Sequence, residues 1–137
     1  MKTPAGPPQQ IVVLIDGTAF CYRAFYAIRS LSTLDGRPTN AVYGFVRMLQ
    51  ALRQRRRPDA LAVAFDVGKP TFRHRQFEAY KGQRKPMPDP LIAQLPVIKR
   101  LLAAYRIPVF EQEGCEAEDV LATIARQVAS AGRDVWL

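Results

Sequence analysis

Two pentapeptides constrain the fold more than any other feature of the chain. "IVVLI" (residues 11–15) and "LAVAF" (61–65) are continuous apolar runs, and each is followed at once by an aspartate, Asp16 and Asp66. Runs this short, with no alternation of polar residues, are the mark of strands covered on both faces, as in a parallel sheet. "IPVFE" (107–111) and the terminal "DVWL" are weaker members of the same series. Between the strands lie helical patterns. Val42, Phe45, Val46, Leu49 and Leu52 follow i, i+3, i+4, i+7 spacing, and Leu121, Ile124, Ala125 and Val128 do so again before Gly132, which suits a helix C-terminus. Leu91–Tyr105 is also helix-like, but Pro96 inside it predicts a kink or a fresh start. Strand and helix thus alternate, which predicts right-handed crossovers and a doubly wound α/β sheet.

The chain has 137 residues, 48% of them hydrophobic, enough for one domain with a substantial core. Residues 1–10, with three Pro and little to bury, are expected to form a disordered tail preceding a domain at 11–137. That opening does not resemble a signal peptide, and no apolar run is long enough to span a bilayer, so a cytoplasmic protein without membrane contact is expected. Cys21 and Cys115 belong to no Cys-x-x-Cys pair and are read as reduced, half-buried thiols. A formal charge of +8, from 20 Lys and Arg against 12 Asp and Glu, favours a polyanionic partner, nucleic acid before membrane.

Against that basic background, acids gather at one place. Parallel strands put Asp16 and Asp66 on the same edge, the C-terminal edge where open α/β sheets place their sites. The third strand leads into "EGCEAEDVLATIAR" (113–126), where Glu116, Glu118 and Asp119 open a helix. At ~100° per residue, Glu116 and Asp119 lie about 60° apart on one helical face, so the three acids can bracket one point. Acids at a helix start also gain from its dipole, which explains any one of them without a ligand. Five acids from three segments are a different matter, because like charges at one rim repel unless a cation neutralises them. Oxygen-only ligands suit Mg²⁺ or Mn²⁺. His74, the lone histidine, stands apart in a basic segment and suggests no zinc site.

That segment, "GKPTFRHRQFEAYKGQRKP" (68–86), carries Lys69, Arg73, Arg75, Lys81, Arg84 and Lys85 with Phe72, Phe77 and Tyr80 interleaved. Cations contact phosphates and rings offer faces to unpaired bases, so the pattern suits a nucleic-acid strand, although a solvated loop has the same composition. It begins two residues after Asp66, beside the acidic rim. "RQRRRP" (53–58) ends the first long helix on the opposite edge, where compensation of the helix C-terminus accounts for it.

"LIDGTAFCYRAFYAI", "AVYGF", "AFDVGKPTFRHRQFEAYKGQR" and "GCEAEDVLATIA" together resemble, in order, the motifs of the 5′-nuclease family: the 5′-3′ exonuclease domain at the N-terminus of bacterial DNA polymerase I, its stand-alone homologues and, more distantly, flap endonucleases. The resemblance runs from Ile11 to the end. It implies a PIN-like (resolvase-like) three-layer α/β fold with a mainly parallel sheet, and metal-dependent hydrolysis of DNA, including 5′ flaps, nicked or branched duplexes and RNA–DNA primers. By motif, Asp16, Asp66, Glu116, Glu118 and Asp119 would be ligands to two divalent ions, Mg²⁺ or Mn²⁺. Lys81 and Arg84 would act near the scissile phosphate, with Tyr80 as a stacking platform and Arg23, Lys69, Arg73, Arg75 and Lys85 as further DNA contacts. A polymerase domain in the same full-length chain and a nucleoid-associated location are implied as well.

The chain departs from the family pattern in two ways. "EAED" replaces the usual "EADD", placing Glu118 where an Asp is common, and the motifs expected after "DVWL", a second acidic cluster and a helix-hairpin-helix element, are not in this sequence. A fragment of weak or no activity in isolation is therefore expected. Two other readings share the features: a PIN-type ribonuclease, and a non-catalytic, structure-specific DNA-binding module. A sugar-phosphate phosphatase, suggested by "IDGT", fails because its nucleophilic position is Leu14.

Overall fold

The computed structural model describes residues 8–68 and 85–137. Its frame is a four-stranded sheet of β1 (Ile11–Asp16), β2 (Ala60–Phe65), β3 (Val109–Glu111) and β4 (Asp134–Trp136) in the order β3-β2-β1-β4, every pair parallel. The register aligns Asp16 with Ala64, and Phe65 with Glu111. The chain moves from β1 outward to β2 and β3, then returns to the far side of β1, so the order reverses beside β1, the position where such sheets open a crevice.

Strand residues alternate between two cores because side chains of a strand point to opposite faces. Val13, Ile15, Val63 and Phe65 pack against α1 (Gly17–Ala27), α2 (Asn40–Arg56), the single-turn α3 (Asp89–Ile92) and α4 (Leu95–Ala104), through Cys21, Ala24, Phe45, Leu49, Leu91, Ile98 and Leu102. Val12, Leu14, Ala62 and Ala64 face α5 (Ala117–Ser130), through Ala117, Leu121 and Ile124. The expected three layers and parallel sheet are present. Among the described residues no helix is long and apolar enough to cross a membrane.

Helix α1 is not among the helices expected from periodicity. Its buried face is Gly17, Cys21 and Ala24, small residues that leave no hydropathy stripe. Their size permits close approach: a Cβ on Gly17 would lie 2.6 Å from Val63 Cγ1, and one on Gly44 of α2 would lie 2.9 Å from the Ala24 Cβ. Pro96 marks a fresh start, since α3 and α4 are separate helices and the proline occupies the first turn of α4, where it removes no intrahelical bond. Cys21 is fully rather than half buried, and burial pushes its thiol up to about 12, against the pull of Lys99. Cys115 is partly exposed.

Candidate metal centre and nucleic-acid cleft

Asp16, Asp66, Glu116 and Asp119 at the C-terminal edge are each held by a backbone amide. Asp16, the last residue of β1, caps α1: its Oδ1 accepts from Ala19 N at 2.9 Å. Asp66 follows β2, and its Oδ1 accepts from Ala117 N at 2.8 Å, the first amide of α5 on a different segment. Thr18 Oγ1 accepts from Asp66 N at 3.0 Å, tying the first two motifs together. Glu116 and Asp119 form a reciprocal capping box in which the Asp119 carboxylate accepts from Glu116 N at 3.0 Å and the Glu116 side chain accepts from Asp119 N. These bonds satisfy amides that every helix start leaves unpaired.

Asp16, Asp66, Glu116 and Glu118 line one open cavity of about 490 Å³, which among the described residues is also lined by Thr18, Ala19, Tyr22, Tyr26, Lys85 and Pro86. Asp119 does not line it, and its carboxylate is turned to the Glu116 amide. Here the expectation that Glu116, Glu118 and Asp119 bracket a single point needs correction. Among the described residues, no three His, Cys, Asp or Glu side chains are gathered closely enough to hold one ion. The physical reason lies in the caps: backbone amides take one oxygen of Asp16 and one of Asp66 and engage the Glu116–Asp119 pair within its own turn, and mutual repulsion spreads what remains.

The donor set nevertheless fits a hard divalent cation by chemistry. Every candidate ligand is a carboxyl oxygen, three separate segments supply them, and among the described residues the lining holds four carboxyl groups and one lysine, Lys85. Asp16 and Asp66 each use Oδ1 in a cap, which leaves Oδ2 for a cation.

Aromatic rings share the lining. Tyr22 and Tyr26 stand one turn apart on α1 with rings nearly parallel, 6.3 Å between centroids and 14° between planes, and Phe25 meets Tyr26 edge-on at 5.2 Å. Tyr26 is 66% exposed. Sequence reasoning passed over both tyrosines; the signal available was their i, i+4 spacing directly after Asp16. Arg23, expected near the phosphates, lines a neighbouring cavity of about 620 Å³ with Arg55, Arg56 and Trp136, which meets the acidic one at Asp16 and Ala19. Arg56 sits 4.6 Å over the Trp136 ring and Arg53 5.6 Å over Tyr105, so part of the "RQRRRP" charge is held by cation–π contacts. Lys69, Arg73, His74, Arg75, Tyr80, Lys81 and Arg84 lie outside the described residues.

Comparison with known proteins bears on the same region of the chain. It is 46% identical over 124 residues to DNA polymerase I of Bacillus caldotenax, covering 90% of this chain and 14% of that protein. It is also 46% identical over 119 residues to the 5′-3′ exonuclease of Aquifex aeolicus, covering 87% of this chain and 41% of that protein. The chain thus spans less than half the length of either relative. The crystal structure of T5 D15 protein, co-crystallised with metal ions, superposes with a TM-score of 0.69 over 93% of this chain and 48% of its own, a likeness of fold at 22% identity. The family model described as "5'-3' exonuclease, N-terminal resolvase-like domain" matches residues 11–137, the whole α/β unit with all five acids of the rim, and this chain belongs to that family.

Proposed function

We propose that the acidic cleft belongs to a metal-dependent 5′-3′ exonuclease and 5′-flap endonuclease that hydrolyses phosphodiester bonds in DNA. The observation that carries this reading is the cavity itself: carboxyl groups from three segments, Asp16, Asp66, Glu116 and Glu118, line one space together with Tyr22, Tyr26 and Lys85. Asp16 and Asp66 would hold divalent ions, Mg²⁺ or Mn²⁺, with Glu116, Glu118 and Asp119 on the helix start behind them. Two such ions, when bound, supply an activated water and neutralise charge on the leaving 3′ oxygen. The tyrosine faces accept unpaired bases, at roughly 1–3 kcal/mol per stacked base. The Lys85 ammonium offsets phosphate charge at the mouth, and Lys81 and Arg84 join it on the strength of the sequence resemblance, as do Lys69, Arg73, Arg75 and Tyr80. A polymerase in the same full-length chain, RNA–DNA primers among the substrates and a nucleoid location belong to the same proposal.

Cleavage and binding of a 5′-flap duplex with Mg²⁺ test it. Asp16→Asn should abolish cleavage while leaving DNA affinity intact, because an asparagine still caps α1. Equal loss of cleavage and binding would count against the metal assignment. One observation favours a second reading, a structure-specific DNA-binding module: the described acids are not gathered around one point. Calorimetric titration with Mn²⁺, with and without Asp66→Ala, separates the two, since only the nuclease reading requires tight binding that depends on Asp66.

A further inference from the structure

Among the described residues, two uncharged polar side chains are buried, and neither belongs to the acidic rim. Gln94 is 2% exposed and Asn40 5% exposed, yet both are fully hydrogen-bonded. Gln94 Oε1 accepts from Ala41 N at 2.8 Å and Val42 N at 3.0 Å, so a side chain from 52–53 residues away caps α2, whose own cap residue Thr39 contributes no side-chain bond. Gln94 Nε2 donates to Asn40 Oδ1 and to the Pro90 carbonyl, both at 2.9 Å. Asn40 Nδ2 in turn donates to the carbonyls of Phe25 at 3.0 Å and Ile28 at 2.8 Å, at the end of α1.

The two amides therefore form one buried chain from the end of α1 to the start of α3. Its two ends adjoin two parts of the cavity lining: a tyrosine wall, where Tyr22 and Tyr26 lie on α1 just before Phe25 and Ile28, and a Lys85 wall, where Lys85 and Pro86 lie just before Pro90. Apolar contacts could join these segments with greater tolerance for sliding; directed bonds between fully buried groups fix one separation, because each unmade bond there leaves a desolvated donor or acceptor. We propose that Asn40 and Gln94 are a positioning pair that sets the distance between the tyrosine wall and the Lys85 wall, and through it the grip of the cleft on a nucleic-acid strand. The proposal rests on the nucleic-acid reading of the cleft, and neither residue touches the reacting atoms.

Gln94→Glu isolates the link. It keeps an oxygen as the acceptor for the Ala41 and Val42 amides and replaces the nitrogen that donates to Asn40 and Pro90 with a second oxygen. Two readouts are taken in a Cys115→Ser background: the affinity for a 5′-flap duplex, and the distance distribution between nitroxides at Ala27→Cys on α1 and Ala93→Cys after α3, positions that are both exposed. Loss of the link should broaden and lengthen the distribution and weaken DNA binding about tenfold, the effect of ~1.4 kcal/mol. Asp66→Asn should leave the distribution unchanged. Should Gln94→Glu fail to fold, Asn40→Asp cuts the same chain at its α1 end and retains the acceptor that faces Gln94. A lowered melting temperature with unchanged distances and unchanged affinity would overturn the proposal, reducing the pair to a stabilising contact. If the parent chain binds no flap DNA, the nucleic-acid reading falls, and the distance measurement alone decides whether the pair positions the walls.

Discussion

Asp66 carries two separable loads, and substituting it in two ways should divide them. Its Oδ1 accepts from Ala117 N at 2.8 Å, and Ala117 is 1% exposed, while Asp66 itself is exposed at the cavity. Asp66→Ala removes a hydrogen bond to a charged acceptor, a cost of about 1.5–3 kcal/mol. Asp66→Asn keeps an oxygen in the same place and loses only a charge at the start of α5, ~0.3–1 kcal/mol, partly offset by relief of repulsion from Glu116 and Glu118. For a domain of this size ~1 kcal/mol moves the melting temperature by about 3–5 °C, so the alanine variant should melt clearly below the asparagine variant. Both variants lack the charge at the rim, and both should lose affinity for Mn²⁺. Urea denaturation followed by circular dichroism measures the first effect and calorimetry the second. Equal stability of the two variants would show that the strand-to-helix bond carries no net energy. Retention of Mn²⁺ binding by Asp66→Asn would show that the carboxylate charge is not what the cation needs.

Three further outcomes follow from the structure. Gly44→Ala places a methyl 2.9 Å from the Ala24 Cβ where α1 and α2 cross, and should destabilise the fold by ~1–3 kcal/mol in chemical denaturation despite alanine's better helix propensity. Cys21, with its thiol raised to about 12 by burial, should resist alkylation at pH 8 while Cys115 reacts. Because the folded value lies above the thiol's ordinary 9.0, this group's contribution to stability is complete below pH 9 and is lost as the pH rises toward 12, a loss that Cys21→Ala should remove. Asp35 is held below its ordinary 3.8, first by the Thr33 hydroxyl, with Arg37 adding a smaller pull. Its contribution is present above pH 3.8 and disappears as the pH falls through the lower folded value, and Thr33→Ala should return the carboxyl midpoint, followed by NMR, toward 3.8.

The sheet was legible because its information is local. "IVVLI" and "LAVAF" are buried on both faces and say so in composition, and the aspartate after each marks the strand end whatever the rest of the chain does. Helix α1 was not legible, since its packing rests on the small size of Gly17, Cys21 and Ala24, and smallness matters only against the particular surfaces of Val63, Phe65 and Gly44. Tyr22 and Tyr26 stayed hidden for the same reason, because their role as a wall depends on where α1 lies. Asn40 and Gln94, separated by 54 residues, carry no sequence signal at all: a buried Gln is indistinguishable from a solvated one until its partners are known.

The acids themselves were found by position, but their geometry came out differently because a carboxylate at a helix start answers to two demands. Sequence spacing treats Glu116, Glu118 and Asp119 as ligands in waiting; the backbone treats them as caps. The outcome differs by residue. Glu116 and Asp119 engage each other's amides within a single turn, which satisfies the helix and turns Asp119 away from the cavity. Asp16 and Asp66 instead cap α1 and α5 with one oxygen each while still lining the cavity, so for these two the cap orients the group that a cation would use. On this reasoning Asp16 and Asp66 are the preorganised part of the candidate centre. Asp119 must turn toward the cavity before it can take part, and giving up its bond to the Glu116 amide in doing so would cost about 1 kcal/mol, which a divalent ion near several carboxylates readily offsets.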